Sequence, residues 1–183
     1  MKKIVYLLGA FLFLTGCSMT NVAMMNTPAK KVEMFLSNYQ TLDEEVLTQL
    51  DEVVEKEDTF NENQKETYRN IMKKHYQDLT YEIKDEVING DTATVTAEIE
   101  VTDYSKIMTD ADTYRDENES EFMNEEGLFD DTLFTSYRLE QLEKADDTVK
   151  YTIDFTLTKV EDDWILDNLT DEQSDKLHGL YSY

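Results

Sequence analysis

The sequence predicts an α+β fold in which N-terminal helices pack on an antiparallel sheet, with a helical insertion between strands. Apolar residues recur every three to four positions in the first third of the domain, which is the spacing of amphipathic helices. Near residue 80 the period changes to two, which is typical of strands with one buried face. A long acidic stretch with helical spacing then separates two strand-like regions. Successive helices of this kind need a sheet or further helices to cover their apolar faces.

The chain begins with the features of a bacterial lipoprotein signal peptide. Lys2 and Lys3 precede an apolar run of eleven residues, Ile4–Leu14. This run is too short to span a hydrocarbon core, which takes roughly 20 helical residues, but it has the length of the apolar part of a signal peptide. The run ends in "LTGC", which resembles the bacterial lipobox. That resemblance implies cleavage after residue 16 and a diacylglycerol on Cys17.

Cys17 is the only cysteine in the chain, so it has no partner for an internal disulfide. Small secreted domains often use disulfides. The residue is therefore better explained as a lipid attachment point than as a redox or metal-binding residue. Two acyl chains give stable anchoring, whereas a single chain gives only marginal binding. The alternative is an ordinary secretory signal that contains a cysteine by chance.

The predicted mature chain is a single acidic domain on a short tether. Residues 17–27 form the lipidated tether, whose last ten residues reach at most about 35 Å, and residues 28–183 form the domain. Removal of residues 1–16 leaves 15 basic and 41 acidic residues, a formal charge of −26. This charge argues against nucleic acid and anionic lipid as partners, while a hydrophobic content of 40% argues against disorder. We expect a lipid-anchored protein on the outer, extracytoplasmic face of the cell membrane, with a basic protein or a small ligand as its partner.

Three helices are predicted before the first strand. Thr27 followed by Pro28 suits the cap and the first position of the first helix. Thr41 and Glu44 have the spacing of a capping box that starts the second. Asn61 or Asn63 starts the third. The apolar faces of the three helices are Val32, Phe35, Leu36 and Tyr39, then Val46, Leu47, Leu50, Val53 and Val54, and finally Tyr68, Ile71, Met72, His75, Tyr76 and Leu79.

Four strands are predicted as two hairpins that flank the acidic insertion. The first hairpin turns at Asn89-Gly90, a strong turn signal. In the second, the alternation over Val149–Leu157 is the clearest in the chain, so we expect that strand near the centre of the sheet. The last strand is predicted over Trp164–Leu169, and Thr170 caps a short terminal helix. The residues expected on the buried face of the first hairpin are Tyr81, Ile83, Val87, Ala93, Val95, Ala97, Ile99 and Val101.

The insertion itself, residues 104–147, is predicted to be a helical crossover or flap. A short helix is expected around Met108 and a longer one from Asp131, with a turn at Gly127 between them.

Two segments of the domain resemble small NTF2-like lipoprotein domains of low-GC Gram-positive bacteria. They are "PAKKVEMFLSNYQTLDEEVL" (28–47) and "YTIDFTLTKVEDDWILDNLTDEQSDKLHGLY" (151–181). The resemblance covers most of the domain in element order, but specific residues only at its two ends. It implies a curved antiparallel sheet that wraps around the N-terminal helices to form a cone. It also implies an envelope location and no particular activity. Related tails carry a glycine where this chain has Asp163.

Few residues of this chain suggest catalysis. His75 lies on the apolar face of the third helix, which favours a buried structural histidine over a catalytic base. His178 lies near a helix end, where a cation is favourable to the helix dipole. Two histidines without free cysteines do not form a usual zinc site. Asp85 interrupts an apolar strand face, so it is a candidate general base inside the cone if it is buried; the alternative is a position at a bulge or near the hairpin end.

The acidic insertion suggests calcium, but only weakly. The segment "DADTYRDENESE" places Asp110, Asp112 and Glu121 at positions 1, 3 and 12 of an EF-hand loop. Arg115 occupies the position where the loop needs glycine, so the motif fails. A solvated acidic face is the default interpretation, and weak calcium binding that includes Asp116 is the alternative.

These observations predict a non-enzymatic ligand- or protein-binding module of the cell envelope, with no cofactor, catalytic residue or metal site assigned. One alternative is a small-molecule lyase or isomerase that uses a carboxylate in the cone, and another is a weak calcium-binding envelope protein. A ligand-sized apolar cavity with a few convergent polar groups would favour an enzyme or a ligand carrier. A filled cone with an exposed apolar patch would favour a protein partner.

Overall fold

A computed structural model describes residues 26–182 of the 183-residue chain. The predictions for the signal peptide, for Cys17 and for most of the tether lie outside these residues. The described part has six α-helices and a four-stranded sheet, which confirms the α+β class. In chain order the elements are α1 (Pro28–Thr41), α2 (Glu44–Lys56), α3 (Glu62–Asp78), β1 (Thr80–Asn89), β2 (Thr92–Thr102), α4 (Tyr104–Glu117), a short 3-10 helix (Glu119–Phe122), α5 (Asp131–Glu143), β3 (Thr148–Val160), β4 (Asp163–Leu166) and α6 (Asp171–Leu177).

Helices α1 and α3 begin where a polar side chain satisfies their free backbone N–H groups. Thr27 caps α1 by accepting a hydrogen bond from the N–H of Lys30 at 3.2 Å. Asn61 caps α3 and shares a reciprocal capping box with Gln64. The structure thus selects Asn61 over Asn63.

The predicted start of α2 is wrong by two residues. Thr41 is the last residue of α1, and Leu42 follows it in the left-handed conformation, with φ of 54°. This turn brings Asp43 to the cap position, where its carboxylate accepts a hydrogen bond from the N–H of Glu45 at 3.1 Å. Thr41 and Glu44 therefore form no capping box, because α1 continues further than its apolar face indicates.

The sheet is open and antiparallel, with the strand order β1-β2-β3-β4. The inner position of β3 confirms the prediction for Val149–Leu157. β2 and β3 pair along their lengths, with Val95 opposite Phe155. α1 and α3 cover the face that these residues form, and the ring of Phe35 meets that of Phe155 edge-on at 5.9 Å. The core therefore lies between one face of the sheet and the N-terminal helices.

Strand β1 contains a bulge between Ile83 and Asp85. An inserted residue reverses which side chains of a strand face inward. Val87, predicted on the buried face, is consequently 57% exposed. Glu86 takes the inward position and accepts a hydrogen bond from the N–H of Ala29 in the first turn of α1, at 2.7 Å. The prediction for Val87 is wrong because the sequence pattern does not reveal the extra residue.

The last strand is shorter than predicted, since β4 ends at Leu166. The chain then follows the part of β3 that β4 leaves uncovered. The N–H of Asp167 donates to the carbonyl of Thr156, and the side chain of Gln173 in α6 donates to the carbonyl of Asp154. The C-terminal segment thus covers backbone that an edge strand would otherwise expose.

The insertion is helical, as predicted, but α4 is longer than the expected short helix. Helix α5 begins at Asp131 as predicted, and Gly127 occupies a turn between the two with φ of 75°. A small aromatic cluster holds the insertion together, with ring centroids 4.9–6.3 Å apart. Its members are Tyr114, Phe122, Phe134 and Tyr137.

Candidate functional site

The helices enclose an apolar chamber of about 220 Å³, between α3, α4, α5 and the loop before α3. Water occupies about 30 Å³ per molecule in the liquid, so this volume matches about seven waters. A short chain or a single ring fits it, whereas a diacyl lipid does not. Its apolar walls are formed by Phe60, Tyr68, Ile71, Met72, Tyr104, Met108, Leu139, Leu142 and Leu180, and its polar lining by Glu57, Thr59, Thr135 and Arg138.

An open cleft of about 710 Å³ adjoins the chamber. Thr59, Thr135 and Arg138 line both spaces, so the chamber opens into the cleft beside these three residues. The rest of the cleft is lined by Arg115, Asp116, Glu119, Phe129, Asp131 and Phe134. An apolar space with a few polar groups at its mouth is the usual form of a small-molecule site.

A buried glutamine fixes the relative position of α3 and α5, which form two walls of the chamber. The Nε2 of Gln64 donates to the carbonyl of Thr132 at 2.9 Å and lies 3.0 Å from the hydroxyl of Ser136. The same side chain completes the cap of α3. Thr132 and Ser136 both lie in the first two turns of α5. Their contacts with Gln64 hold this part of the helix against α3, and Thr135 lies between them and lines the chamber.

Arg138 is the one arginine of three that forms no ion pair with a described residue. Arg69 pairs with Asp51 at 2.6 Å, and Arg115 pairs with two aspartates at 2.9 and 3.0 Å. The guanidinium of Arg138 instead lies over the ring of Phe134, 5.3 Å from its centroid. The positive charge at the chamber mouth is thus not neutralised by a carboxylate within 4 Å among the described residues.

Thr135 supplies a second polar group without a partner. The residue as a whole is 7% exposed, and its hydroxyl makes no hydrogen bond with a described residue. The hydroxyl is open to the space that it lines, because Nδ1 of His75 is the one enclosed polar side-chain atom without a partner in residues 26–182. A hydroxyl that reaches such a space bonds to water or to a bound molecule there. Because this residue lines both the chamber and the cleft, its hydroxyl is placed to bond to a molecule in that space.

His75 lies in the core behind the chamber, with 1% of its surface exposed. Its Nε2 lies 3.0 Å from the carbonyl of Leu177, and its ring stacks on Tyr104 with centroids 4.9 Å apart. Burial lowers its pKa to about 4, so the ring is neutral near pH 7. The predicted burial of His75 is confirmed, and the ring joins α3 to the C-terminal segment. Its Nδ1, however, is buried without a hydrogen-bond partner among the described residues.

His178 follows α6 directly. Its Nδ1 lies 2.7 Å from the carbonyl of Ser174 and donates to it. Burial lowers the pKa of this ring as well, so it does not supply the cation expected at the helix end.

Asp85 is exposed at the bulge of β1, far from the core. Its carboxylate accepts a hydrogen bond from the N–H of Glu86 at 2.9 Å. The sequence left open a buried base or a bulge position, and the structure selects the bulge. The carboxylate proposed for the lyase or isomerase alternative is therefore not in an enclosed site.

The segment with EF-hand spacing is a helix rather than a loop. Asp110 and Asp112 belong to α4, where they pair with Lys106 and Arg115. Glu121 lies in the 3-10 helix and accepts a hydrogen bond from Tyr114. Asp116 pairs with Arg115 at 2.9 Å. Among residues 26–182 no group of three or more histidine, cysteine, aspartate or glutamate side chains is placed to hold a metal ion.

Sequence reasoning did not find the chamber or its polar residues Glu57, Thr135 and Arg138. The sequence predicts that Tyr68, Ile71 and Met72 form part of an apolar helix face, but no sequence pattern indicates a cavity under that face. The sequence did contain one indication of Arg138, because only three of the 17 basic residues in this chain of net charge −24 are arginines.

Comparison with known proteins identifies the N-terminus only. Residues 1–18 match the family model of the prokaryotic membrane lipoprotein lipid attachment site. This match supports a membrane-anchored lipoprotein. No curated protein and no solved structure matches the chain. Within the part of the chain that the structure describes, no helix has both the length and the apolar character needed to cross a membrane.

Proposed function

We propose that this lipoprotein is anchored through Cys17 to the extracytoplasmic face of the membrane and that its domain binds a small molecule. The lipid attachment match supports the anchor. The proposed chain consists of a signal peptide (1–16), a lipidated tether (17–27) and one domain (28–183). We propose an NTF2-like fold for that domain, supported by helices packed on one face of an antiparallel sheet and by the helical insertion between β2 and β3.

The single observation that supports a binding function is the apolar chamber with Arg138 and Thr135 at its mouth. The chamber lies between helices rather than between the sheet and α1, where Leu36, Ile153 and Phe155 fill the core. Glu57 is the one carboxylate among the described residues that line the chamber, and the lining contains no histidine, cysteine or second carboxylate that would act with it. A ligand carrier or sensor therefore explains the site better than an enzyme.

Asn26 and the chamber lie at opposite ends of the sheet, and Asn26 is the first described residue after the part of the tether that is not described. Asn26 donates to the carbonyl of Asp162 in the turn between β3 and β4. Tyr104, which lines the chamber, follows the far end of β2. A strand of the length of β2 spans about 34 Å. This arrangement supports a domain that presents its chamber away from the bilayer.

The anchor is tested by the change Cys17→Ala. We expect the full-length wild-type protein in the membrane fraction, with a diacylglycerol-modified N-terminus by mass spectrometry. The variant should leave the membrane fraction or keep its signal peptide. Unmodified wild-type protein in the medium would refute the proposal.

Binding is tested with the neutral probe 1-hexanol and ¹³C-methyl NMR of the methionines, using the lipidated protein in nanodiscs. Met72 and Met108 line the chamber, whereas Met34 lies on the exposed side of α1. We expect hexanol to shift the first two resonances and not the third. Met108→Trp should abolish the shift by filling the chamber, and Met34→Trp is the matched control. Unchanged resonances of Met72 and Met108 up to saturating probe would contradict a binding chamber.

A further inference from the structure

We propose that the ligand is a small monocarboxylate with an apolar body, whose carboxylate pairs with Arg138 while its body fills the chamber. This inference rests on the proposed binding function and adds the chemical class of the ligand. Its two anchor points are the guanidinium of Arg138 and the hydroxyl of Thr135, which line the same opening.

The unpaired state of Arg138 is the first argument. The chain has 41 acidic residues and 17 basic ones, so a carboxylate partner is available to almost every cation. Arg69 and Arg115 have such partners, and Arg138 has none within 4 Å among the described residues. A guanidinium binds a carboxylate through two parallel hydrogen bonds, which fixes both the position and the orientation of the ligand. An arginine kept free at the mouth of an apolar space is suited to that task.

The hydroxyl of Thr135 at the chamber mouth is the second, independent argument. Thr135 lines both the chamber and the cleft, and its hydroxyl has no hydrogen-bond partner among the described residues. Thr135 and Arg138 are three residues apart in α5, so their side chains lie on the same face of the helix. A hydroxyl donates one hydrogen bond. A carboxylate that accepts from Arg138 has further lone pairs for this donor.

The charges around the mouth favour one negative charge over two. Asp116, Glu119 and Asp131 line the cleft beside Arg138, and the domain as a whole is strongly acidic. A phosphate dianion would meet twice the repulsion of a carboxylate. Arg115, the second guanidinium of the cleft, already pairs with Asp112 and Asp116, so Arg138 alone is left to offset that repulsion. Glu57 also lines the chamber, so a cationic amphiphile is the principal competitor, and the test below separates the two.

The apolar walls set the size of the ligand body. Ile71, Met72 and Leu139 are buried core residues that also face the chamber. A volume of about seven waters accepts a chain of about six carbons or one ring. The flexible side chains of Met72 and Met108 adapt to either shape.

The test compares four six-carbon probes on the lipidated protein in nanodiscs of zwitterionic lipid: hexanoate, 1-hexanol, hexylamine and hexyl phosphate. Binding is followed by ¹⁵N NMR of the arginine Nε–H groups, which gives one signal for each of the three arginines. We expect hexanoate to shift the Arg138 signal and to bind about tenfold or more tightly than hexanol, as a charge-assisted hydrogen bond predicts. Arg138→Gln should remove this preference, and Arg69→Gln, outside the chamber, should keep it.

Three results would overturn the inference. They are equal affinity for hexanoate and hexanol, tighter binding of hexylamine or hexyl phosphate, and unchanged hexanoate binding by Arg138→Gln. If hexanol enters the chamber and hexanoate does not bind, the proposed binding function survives and only the ligand class is wrong. If no probe shifts Met72 and Met108, both proposals fail.

Discussion

Protonation of His75 should destabilise the folded domain, because this ring is neutral and buried. Burial lowers its pKa from 6.5 to about 4, against a partial opposing effect of the hydrogen bond to Leu177. A histidine with a lowered pKa stabilises the fold fully above its unfolded value, and this contribution is lost as the pH falls from 6.5 towards 4. Each pKa unit corresponds to about 1.4 kcal/mol, so the loss by pH 4 is about 3 kcal/mol.

The effect must be separated from the titration of other groups. The 41 acidic residues become neutral over the same range, and the loss of their mutual repulsion opposes the destabilisation. Closer to the ring, His178 and Lys74 favour its neutral form, and Asp78 favours the charged form. The informative quantity is therefore the difference in unfolding free energy between wild type and His75→Phe at each pH.

The assay is urea denaturation from pH 7.5 to pH 4.5, followed by the fluorescence of Trp164, the only tryptophan. We expect the difference between wild type and His75→Phe to shift by about 2–3 kcal/mol across this range, with the variant gaining relative to wild type at low pH. His178→Phe is the control for a second ring with a lowered pKa. NMR titration of the two histidines gives the pKa directly. A His75 pKa near 6.5, or a difference that does not change with pH, would refute the reasoning.

Other predictions follow from single contacts and from charge. A non-glycine residue in the left-handed conformation costs about 1–2 kcal/mol of unfolding free energy. Gly179→Ala should cost more than this, because its Cβ would lie 2.1 Å from the carbonyl oxygen of Thr102. Gly127→Ala, with open space around the new Cβ, should cost only that amount. Gln64→Ala should lose about 1–3 kcal/mol of unfolding free energy, and Gln173→Ala, at the same cap position of exposed α6, should lose less. Urea denaturation measures all four variants. Calcium and magnesium should raise the melting temperature alike and weakly, through screening of the acidic surface, and a large calcium-only shift at micromolar concentration would contradict this expectation.

Sequence patterns predicted those parts of the fold that depend on local chemistry. The helix caps at Thr27, Asn61 and Thr170 involve residues within three positions of each other, so they are visible in the sequence. The alternation in β2 and β3 was equally clear because both strands bury one face along their lengths. The errors at Thr41 and Val87 have a different origin, since a left-handed turn and a strand bulge each change the register without changing the composition.

The chamber could not be predicted for a physical reason. Its walls come from α3 and from α4 and α5 of the insertion, which are distant in the chain and meet only in the folded domain. The apolar residues on α3 look the same in sequence whether their neighbours fill the space or leave it empty. The resemblance to NTF2-like domains implies a cone between the sheet and the helices, but Phe155 and its neighbours fill that region.

The significance of Arg138 also depends on three-dimensional contacts. In sequence it is one of 17 basic residues in a chain with more than twice as many acidic ones, and an ion pair is the natural expectation. Helix α5 instead directs it over Phe134, and it forms no ion pair within 4 Å with a described residue. A strongly acidic surface repels anions at long range, whereas salt screens that repulsion over about 8–10 Å and affects a half-buried pair much less. The affinity of a monocarboxylate for this site should therefore rise with salt, which is opposite to the behaviour of a cationic ligand attracted by the same surface.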